Sequence, residues 1–237
     1  MSVNRDASLR DAGMGVGVNV DKEAPAFAGD ANAPAVRIVD YSRMPPERWA
    51  NGDGTTRTLA RGPEQNGAAT WRLSVATLDG AAKFSQFPGY DRTLLLIDDG
   101  AIDLLSQDGK LLARAGQPVH FSGELPVWID LPVRPVNVLN FMHQRGAHRV
   151  RVSVDTHSLR VTPAATHLFV SLAGQWDVQS AVLRDVTLPP LNALWTSGRS
   201  DDLVLRPTAP GAQLVSIAID ADTSNTTDTT GMEGHSR

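Results

Sequence analysis

The sequence predicts an all-β protein, with short strands arranged as sandwiches or barrels and two such units packed side by side. Three observations predict it. Segments of alternating or continuously apolar residues recur along the chain, with turn residues between them. Few stretches keep the 3.6-residue period of an amphipathic helix. Gly (20) and Pro (15) run above average usage in a chain of 237 residues, which suits many turns. With 41% apolar residues, the chain has enough to fill a sizeable interior.

The elements follow in order. Residues 1–35 are rich in Ala, Gly, Asp and Asn without a sustained period and read as a disordered tail, as do residues 222–237. Gly13-Met14-Gly15-Val16-Gly17 follows no strand and lacks the next glycine of a dinucleotide loop, so it reads as part of that tail. Val36–Val39 opens the first unit, 36–145. Thr55–Ala60 follows the turn residues Asn51-Gly52-Asp53-Gly54. In Trp71–Leu78, Leu73, Val75 and Thr77 alternate with Arg72, Ser74 and Ala76. Thr93–Ile97 is apolar throughout, as in a strand buried on both faces. Asp108-Gly109 is the best hairpin signal, joining Ile102–Leu105 to Leu111–Ala113. Strands also fit Val119–Phe121, Val127–Leu131, Val136–Met142 and, opening the second unit (146–221), Val150–Val154. After Pro163, strands fit His167–Leu172, Trp176–Val178, Ala193–Trp195, Leu203–Leu205 and Gln213–Ile219. No exact repeat marks the two units as copies.

Composition narrows the function. A net charge of −4 with no basic block gives no footprint for nucleic acid or an anionic membrane. The absence of cysteine excludes disulfides, zinc-thiolate sites, iron–sulfur clusters and thiol nucleophiles. No secretory signal and no run of 18 apolar residues is present, so a soluble cytoplasmic protein is expected.

Three stretches carry a resemblance. Trp49-Ala50-Asn51-Gly52-Asp53-Gly54-Thr55-Thr56-Arg57 is similar to a Trp-x-Asn-Gly-Gly-Gly-x-Thr-Arg pattern. Trp71-Arg72-Leu73-Ser74-Val75-Ala76, followed by Phe84-Ser85-Gln86-Phe87-Pro88-Gly89-Tyr90-Asp91-Arg92, is close to a long and specific signature. Leu139-Asn140-Phe141-Met142 with Arg145-Gly146 is similar to Phe-Asn-x-Met-x-x-Arg-Gly. In these motifs, in order from Val36 to Ile219, the chain resembles the HutD/Ves family. The resemblance implies a bicupin, two cupin barrels in one chain. It also implies a link to histidine catabolism, modulating the pathway rather than catalysing a step, with a small carboxylate such as a formylated amino acid as ligand. Two departures bear on ligand preference: Asp53 stands where the family has a third glycine, and Val138 lies near a family acidic position.

Rival chemistries lack their residues. A metal-dependent cupin needs His-x-His, a carboxylate and a later His; the corresponding stretch reads Ser85-Gln86-Phe87, and no His lies near Pro126. His143 and His148 read as structural or surface residues. No Gly-x-Ser-x-Gly elbow is present. His120 with Asp91 or Asp103 is the one acid–base pairing that would make a metal-free hydrolase or isomerase. No metal, cofactor or catalytic residue is therefore assigned. What remains is an anion-binding set. Arginine in a barrel reaches solvent, pairs with a carboxylate or awaits an anion, and its donor fork fits a carboxylate. The candidate ligand-binding residues are Asn51, Thr56, Arg57, Arg72, Ser74, Phe84, Phe87, Arg92, Phe121, Asn140 and Met142, with Arg57 and Arg92 as the clamp and the phenylalanines as the apolar wall. The partner is a small anionic metabolite; a homodimer and a ligand-free interaction protein are left open. The second unit is expected to be packed solid.

Overall fold

In a computed structural model the described residues are 35–49, 54–130, 134–181 and 183–221. The expected tails fall outside them, apart from Ala35, as do Asn51 and Asp53. In chain order the strands are β1 (Ala35–Asp40), β2 (Glu47–Arg48), β3 (Gly54–Arg61), β4 (Glu64–Gln65), β5 (Ala68–Ala69), β6 (Trp71–Leu78) and β7 (Ala82–Lys83). Then come β8 (Tyr90–Leu96), β9 (Ala101–Ser106), β10 (Gly109–Arg114), β11 (Val119–Ser122), β12 (Val127–Ile129), β13 (Val136–Gln144) and β14 (His148–Asp155). The last are β15 (Leu159–Val161), β16 (Thr166–Ala173), β17 (Trp176–Gln179), β18 (Val186–Leu188), β19 (Asn192–Ser197), β20 (Leu203–Pro207) and β21 (Gln213–Ala221). Helix among the described residues is one 3-10 turn, Tyr41–Arg43, and no helix there is long and apolar enough to cross a membrane.

The fold class is all-β, as the alternation predicts. Each expected strand forms, and Gly109 turns the β9–β10 hairpin at φ 127°. Alternation missed the shortest strands, β2, β4, β5, β7, β15 and β18, since two or three residues carry no period. A first lobe pairs a six-stranded sheet, ordered β11-β8-β13-β6-β3-β2, with a four-stranded sheet, β10-β9-β12-β7. A second lobe pairs a five-stranded sheet, β1-β19-β16-β21-β14, with a four-stranded sheet, β15-β20-β17-β18.

Period-2 alternation on the large sheets feeds separate cores. In the first lobe, Ala76, Leu78, Leu94, Leu96 and Val138 pack inward against Leu104, Ala113, Val127 and Ile129 of the smaller sheet. In the second, Phe169, Leu194 and Leu214 meet Trp176, Val178, Leu188, Leu203 and Leu205. The opposite faces of the two large sheets pack together, burying Leu73, Val75, Leu95, Leu139 and Phe141 against Leu168, Val170, Val215 and Ile217. This shared core is why Thr93–Ile97 reads as apolar throughout: Leu94 and Leu96 serve the lobe, Leu95 the interface.

One boundary differs from the expectation. The sequence order puts Val36–Val39 in the first unit, but β1 pairs along β19 of the second lobe, from Ala35↔Ser197 to Asp40↔Asn192. The exchange extends that sheet by one strand and buries Val39 in the shared core.

Candidate functional site

One row across the six-stranded sheet defines the site. In register, Phe121 of β11 lies opposite Arg92 of β8, Arg92 opposite Met142 of β13, Met142 opposite Arg72 of β6, and Arg72 opposite Arg61 of β3. Two residues further along, Leu94, Asn140, Ser74 and Thr58 form the next row. Both rows face the first-lobe interior, because Leu94, Leu96, Ala76 and Val138 of the same strands line that core.

Arg92 is the centre. It is 4% exposed, yet its hydrogen-bond acceptors are neutral: Nε and Nη2 donate to Asn140 Oδ1 at 3.3 and 3.1 Å, and Nη1 to the Ser85 carbonyl at 3.1 Å. Three aromatic rings surround its guanidinium carbon, Phe121 at 5.1 Å, Phe84 at 5.3 Å and Phe87 at 5.6 Å. Arg72 also sits over the Phe87 ring, at 5.7 Å. Burial, and then repulsion from the Arg72 cation, push the Arg92 guanidinium down to about 9. It is charged at neutral pH, and its partners use three of its five N–H donors. Ser74 is buried with its hydroxyl 3.5 Å from the Asn140 carbonyl, and the buried Thr58 hydroxyl has no partner among the described residues. Thr56 accepts a hydrogen bond from Trp49 Nε1 at 2.8 Å, and Trp49 meets Phe84 edge-on with centroids 6.0 Å apart.

A strap holds the aromatic wall. Phe84–Gly89 is tied to the Gly123–Glu124 turn: the Phe87 N–H donates to the Gly123 carbonyl at 2.8 Å, Gln86 to the Glu124 carbonyl at 2.5 Å, and the Gly89 N–H to Glu124 Oε1 at 2.7 Å. Arg145 completes it, contacting Asp91 at 2.9 Å and Glu124 at 3.0 Å, while its own N–H reaches the Gly89 carbonyl at 2.8 Å. Those bonds hold the Glu124 carboxyl well below the usual carboxylate range. Gly123 must be glycine, since a Cβ would lie 2.3 Å from the Phe87 carbonyl oxygen and 2.7 Å from that of Tyr90.

The structure therefore brings together Thr56, Arg72, Ser74, Phe84, Phe87, Arg92, Phe121, Asn140 and Met142. It does not bring in Arg57. That side chain lies on the opposite face of β3, paired in register with Val75, donating to the Met44 carbonyl and lying 5.2 Å from the Tyr41 ring centroid. Instead Arg61 stands in the arginine row. A β-bulge between Thr58 and Ala60 inserts one residue, so Leu59 and Ala60 both enter the shared core and Arg61 turns inward. No signal in the sequence marks the bulge; Thr58 was within reach, as the next residue in alternation after Thr56. His120 is exposed on the outer face of β11, with Nδ1 2.8 Å from Thr93 Oγ1, and does not reach the arginines.

Comparison with known proteins bears on this geometry. A HutD family model matches residues 39–214. The chain belongs to the HutD family. Protein Ves of Cronobacter sakazakii is 29% identical over 165 residues, 69% of this chain and 88% of the relative. An uncharacterized 21.2 kDa protein in the hutC 3′ region of Pseudomonas putida is 31% identical over 170 residues, covering 63% and 83%. Among solved structures, HutD from Pseudomonas fluorescens SBW25, in a formate condition, superposes with a TM-score of 0.71 at 21% identity, covering 79% of this chain and 99% of its own. A cupin 2 conserved barrel protein from Leptotrichia buccalis gives 0.52 at 8% identity, covering 78% and 96%. These likenesses make the fold cupin-type. The HutD-family matches put the chain among proteins linked to histidine utilisation.

Proposed function

We propose that the first lobe binds a small carboxylate without transforming it, and that binding modulates histidine utilisation in the cytoplasm. The observation that carries this reading is Arg92, a buried guanidinium in an aromatic cage whose acceptors are all uncharged. An uncompensated buried cation is costly, and a carboxylate on its remaining donors relieves that cost. Val138 strengthens the case: this fully buried position is apolar, so the nearby wall supplies no internal carboxylate there. The candidate ligand is formylglutamate or a related carboxylate of histidine breakdown. The P. putida relative, located beside hutC, and the solved P. fluorescens HutD support this choice.

The test is thermal unfolding with formylglutamate, glutamate, urocanate and formate in the native chain, Arg92→Met and Arg57→Ala. A ligand at about 100 times its Kd adds about 2.7 kcal/mol, and each kcal/mol is worth about 2–4 °C at this length. The native chain and Arg57→Ala are expected to shift by several degrees, and Arg92→Met by none. No shift with any of the four compounds, or an equal shift in Arg92→Met, overturns the proposal.

A further inference from the structure

We propose that the second lobe holds its own site for a small carboxylate, at the place corresponding to the Arg92 site, with His167 standing where the first lobe has Arg92. The correspondence comes from register. In the first lobe, Met142 of β13 lies opposite Arg92 of β8 on one side and Arg72 of β6 on the other. In the second, Ala218 of β21 lies opposite His167 of β16 on one side and Arg151 of β14 on the other. Two residues back along each central strand, Asn140 lies opposite Leu94 and Ser74, and Ser216 lies opposite Phe169 and Ser153. The next strand outward repeats the scheme: Phe121 of β11 is opposite Arg92, and Thr196 of β19 is opposite His167.

The burial pattern agrees independently. Leu139 and Phe141 on one central strand, and Val215 and Ile217 on the other, all enter the shared core. The lobes therefore present equivalent faces to each other and equivalent polar rows to their own interiors. No sequence repeat is needed for this, because the register alone defines the equivalence.

The second row carries the buried polar side chains His167, Thr196 and Ser216 beside the apolar core of its lobe. His167 is 4% exposed and stacks on Phe169, with ring centroids 4.5 Å apart and planes 18° from parallel. Its Nε2 lies 3.0 Å from Ser216 Oγ, and its buried Nδ1 has no hydrogen-bond partner among the described residues. In the tautomer that the proposed site uses, the Ser216 hydroxyl donates into Nε2 and Nδ1 carries the proton, with no acceptor among the described residues. Charges surround the ring from several elements: Arg151 on β14, Arg199 after β19 and Asp220 on β21. Arg151 pairs with Asp220 at 3.5 Å with its side chain mostly exposed; Arg199, nearly buried, pairs with Asp201 at 3.5 Å. Arg199 and Arg151 both disfavour a charged imidazole, and Asp220 favours it. Burial first, and then those arginines, push His167 down to about 4, so its ring is neutral at pH 7.

A carboxylate oxygen on Nδ1–H, with Arg151 at the rim, completes this arrangement. The choice of a carboxylate rests on the reading of the first lobe; the site rests on its own residues. A neutral imidazole makes a weaker anchor than a caged guanidinium, so the second site fills at higher concentration.

The experiment uses the full chain labelled with nitrogen-15. Long-range proton–nitrogen spectra of the His167 ring, assigned through the backbone, are followed during titration with sodium formate and with formylglutamate, against sodium chloride at equal ionic strength. The Arg92 Nε–H signal is read in the same spectra. The expected result is a saturable shift of His167 Nδ1 in both the native chain and Arg92→Met, with the half-saturation concentration raised about threefold in Arg151→Ala, as for a partly exposed charge contact. A His167 ring that stays still, or follows chloride as closely as the carboxylates, overturns the second site; Nδ1 then holds only water. A responding Arg92 beside a silent His167 leaves the first-lobe reading intact. A responding His167 beside a silent Arg92 removes the first-lobe reading and keeps this one.

Discussion

In the proposed reading, Arg92 is a side chain that trades stability for binding. Its aromatic contacts are each worth about 0.5–2 kcal/mol, against a desolvation cost of several kcal/mol for an ion held without a counter-charge. The balance predicts that Arg92→Met leaves the unliganded protein as stable as the native chain or up to about 2 kcal/mol more stable, while abolishing the response to carboxylates. Urea unfolding without ligand measures the first part. A loss of more than about 2 kcal/mol would mean that the cage and the Asn140 bonds outweigh the desolvation cost. Arg57 behaves oppositely. It lies against Tyr41 and the Met44 carbonyl, away from the arginine row, so Arg57→Ala lowers stability by about 1 kcal/mol and leaves ligand affinity unchanged. A tenfold weaker Kd in isothermal titration would place Arg57 back in the site.

At the scale of the element, the Phe84–Gly89 strap governs how the aromatic wall meets its arginines. It is held by backbone bonds to Gly123 and by the Arg145 fork on Asp91 and Glu124. Gly123→Ala forces the Phe87 and Tyr90 carbonyls away, so it is predicted to cost about 1–3 kcal/mol of stability and to speed hydrogen exchange at the Phe87 amide. Unchanged exchange at that amide would show that the strap tolerates the methyl group. The strap also explains two sequence motifs at once. The Phe-Ser-Gln-Phe-Pro-Gly-Tyr-Asp-Arg stretch and the distant Arg145-Gly146 are two sides of one clasp, and their roles became visible only in space. The bulge in β3 taught the opposite lesson. Alternation read from Thr56 gives Arg57 and Arg61 the same facing, and only the inserted residue between Thr58 and Ala60 separates them.

At the scale of the whole molecule, the two lobes share a core and respond to pH together. A histidine whose folded-state value is pushed down binds its proton more readily in the unfolded chain. Stability therefore falls as pH drops below the unfolded value of about 6.5, and the loss is complete near the folded value. For His167, lowered to about 4, the loss reaches about 3 kcal/mol. Burial lowers His143 and His148 in the same direction. Urea unfolding at pH 7.5 and 4.5 checks this: the native chain is expected to lose stability between the two, and His167→Gln to lose less. Equal losses in both proteins would remove His167 from the account.

The sequence by itself determined the fold class, every strand of four residues or more, and most of the kinds of residue that meet at the arginine row, because alternation and motif chemistry are local properties. Of the candidate residues inside the described regions, Thr56, Arg72, Ser74, Arg92, Phe121, Asn140 and Met142 lie on one face of the six-stranded sheet, and Arg57 lies on the other. Tertiary structure alone decided the rest. It decided that β1 completes the sheet of the second lobe, since a short strand such as Val36-Arg37-Ile38-Val39 fits any open edge and only packing selects one. It decided that Arg61 faces inward, since a bulge is set by the partner strand. It also decided that His167 and Arg151 stand where Arg92 and Arg72 stand, since equivalence between two lobes is a matter of register, and register exists only between strands that have already met.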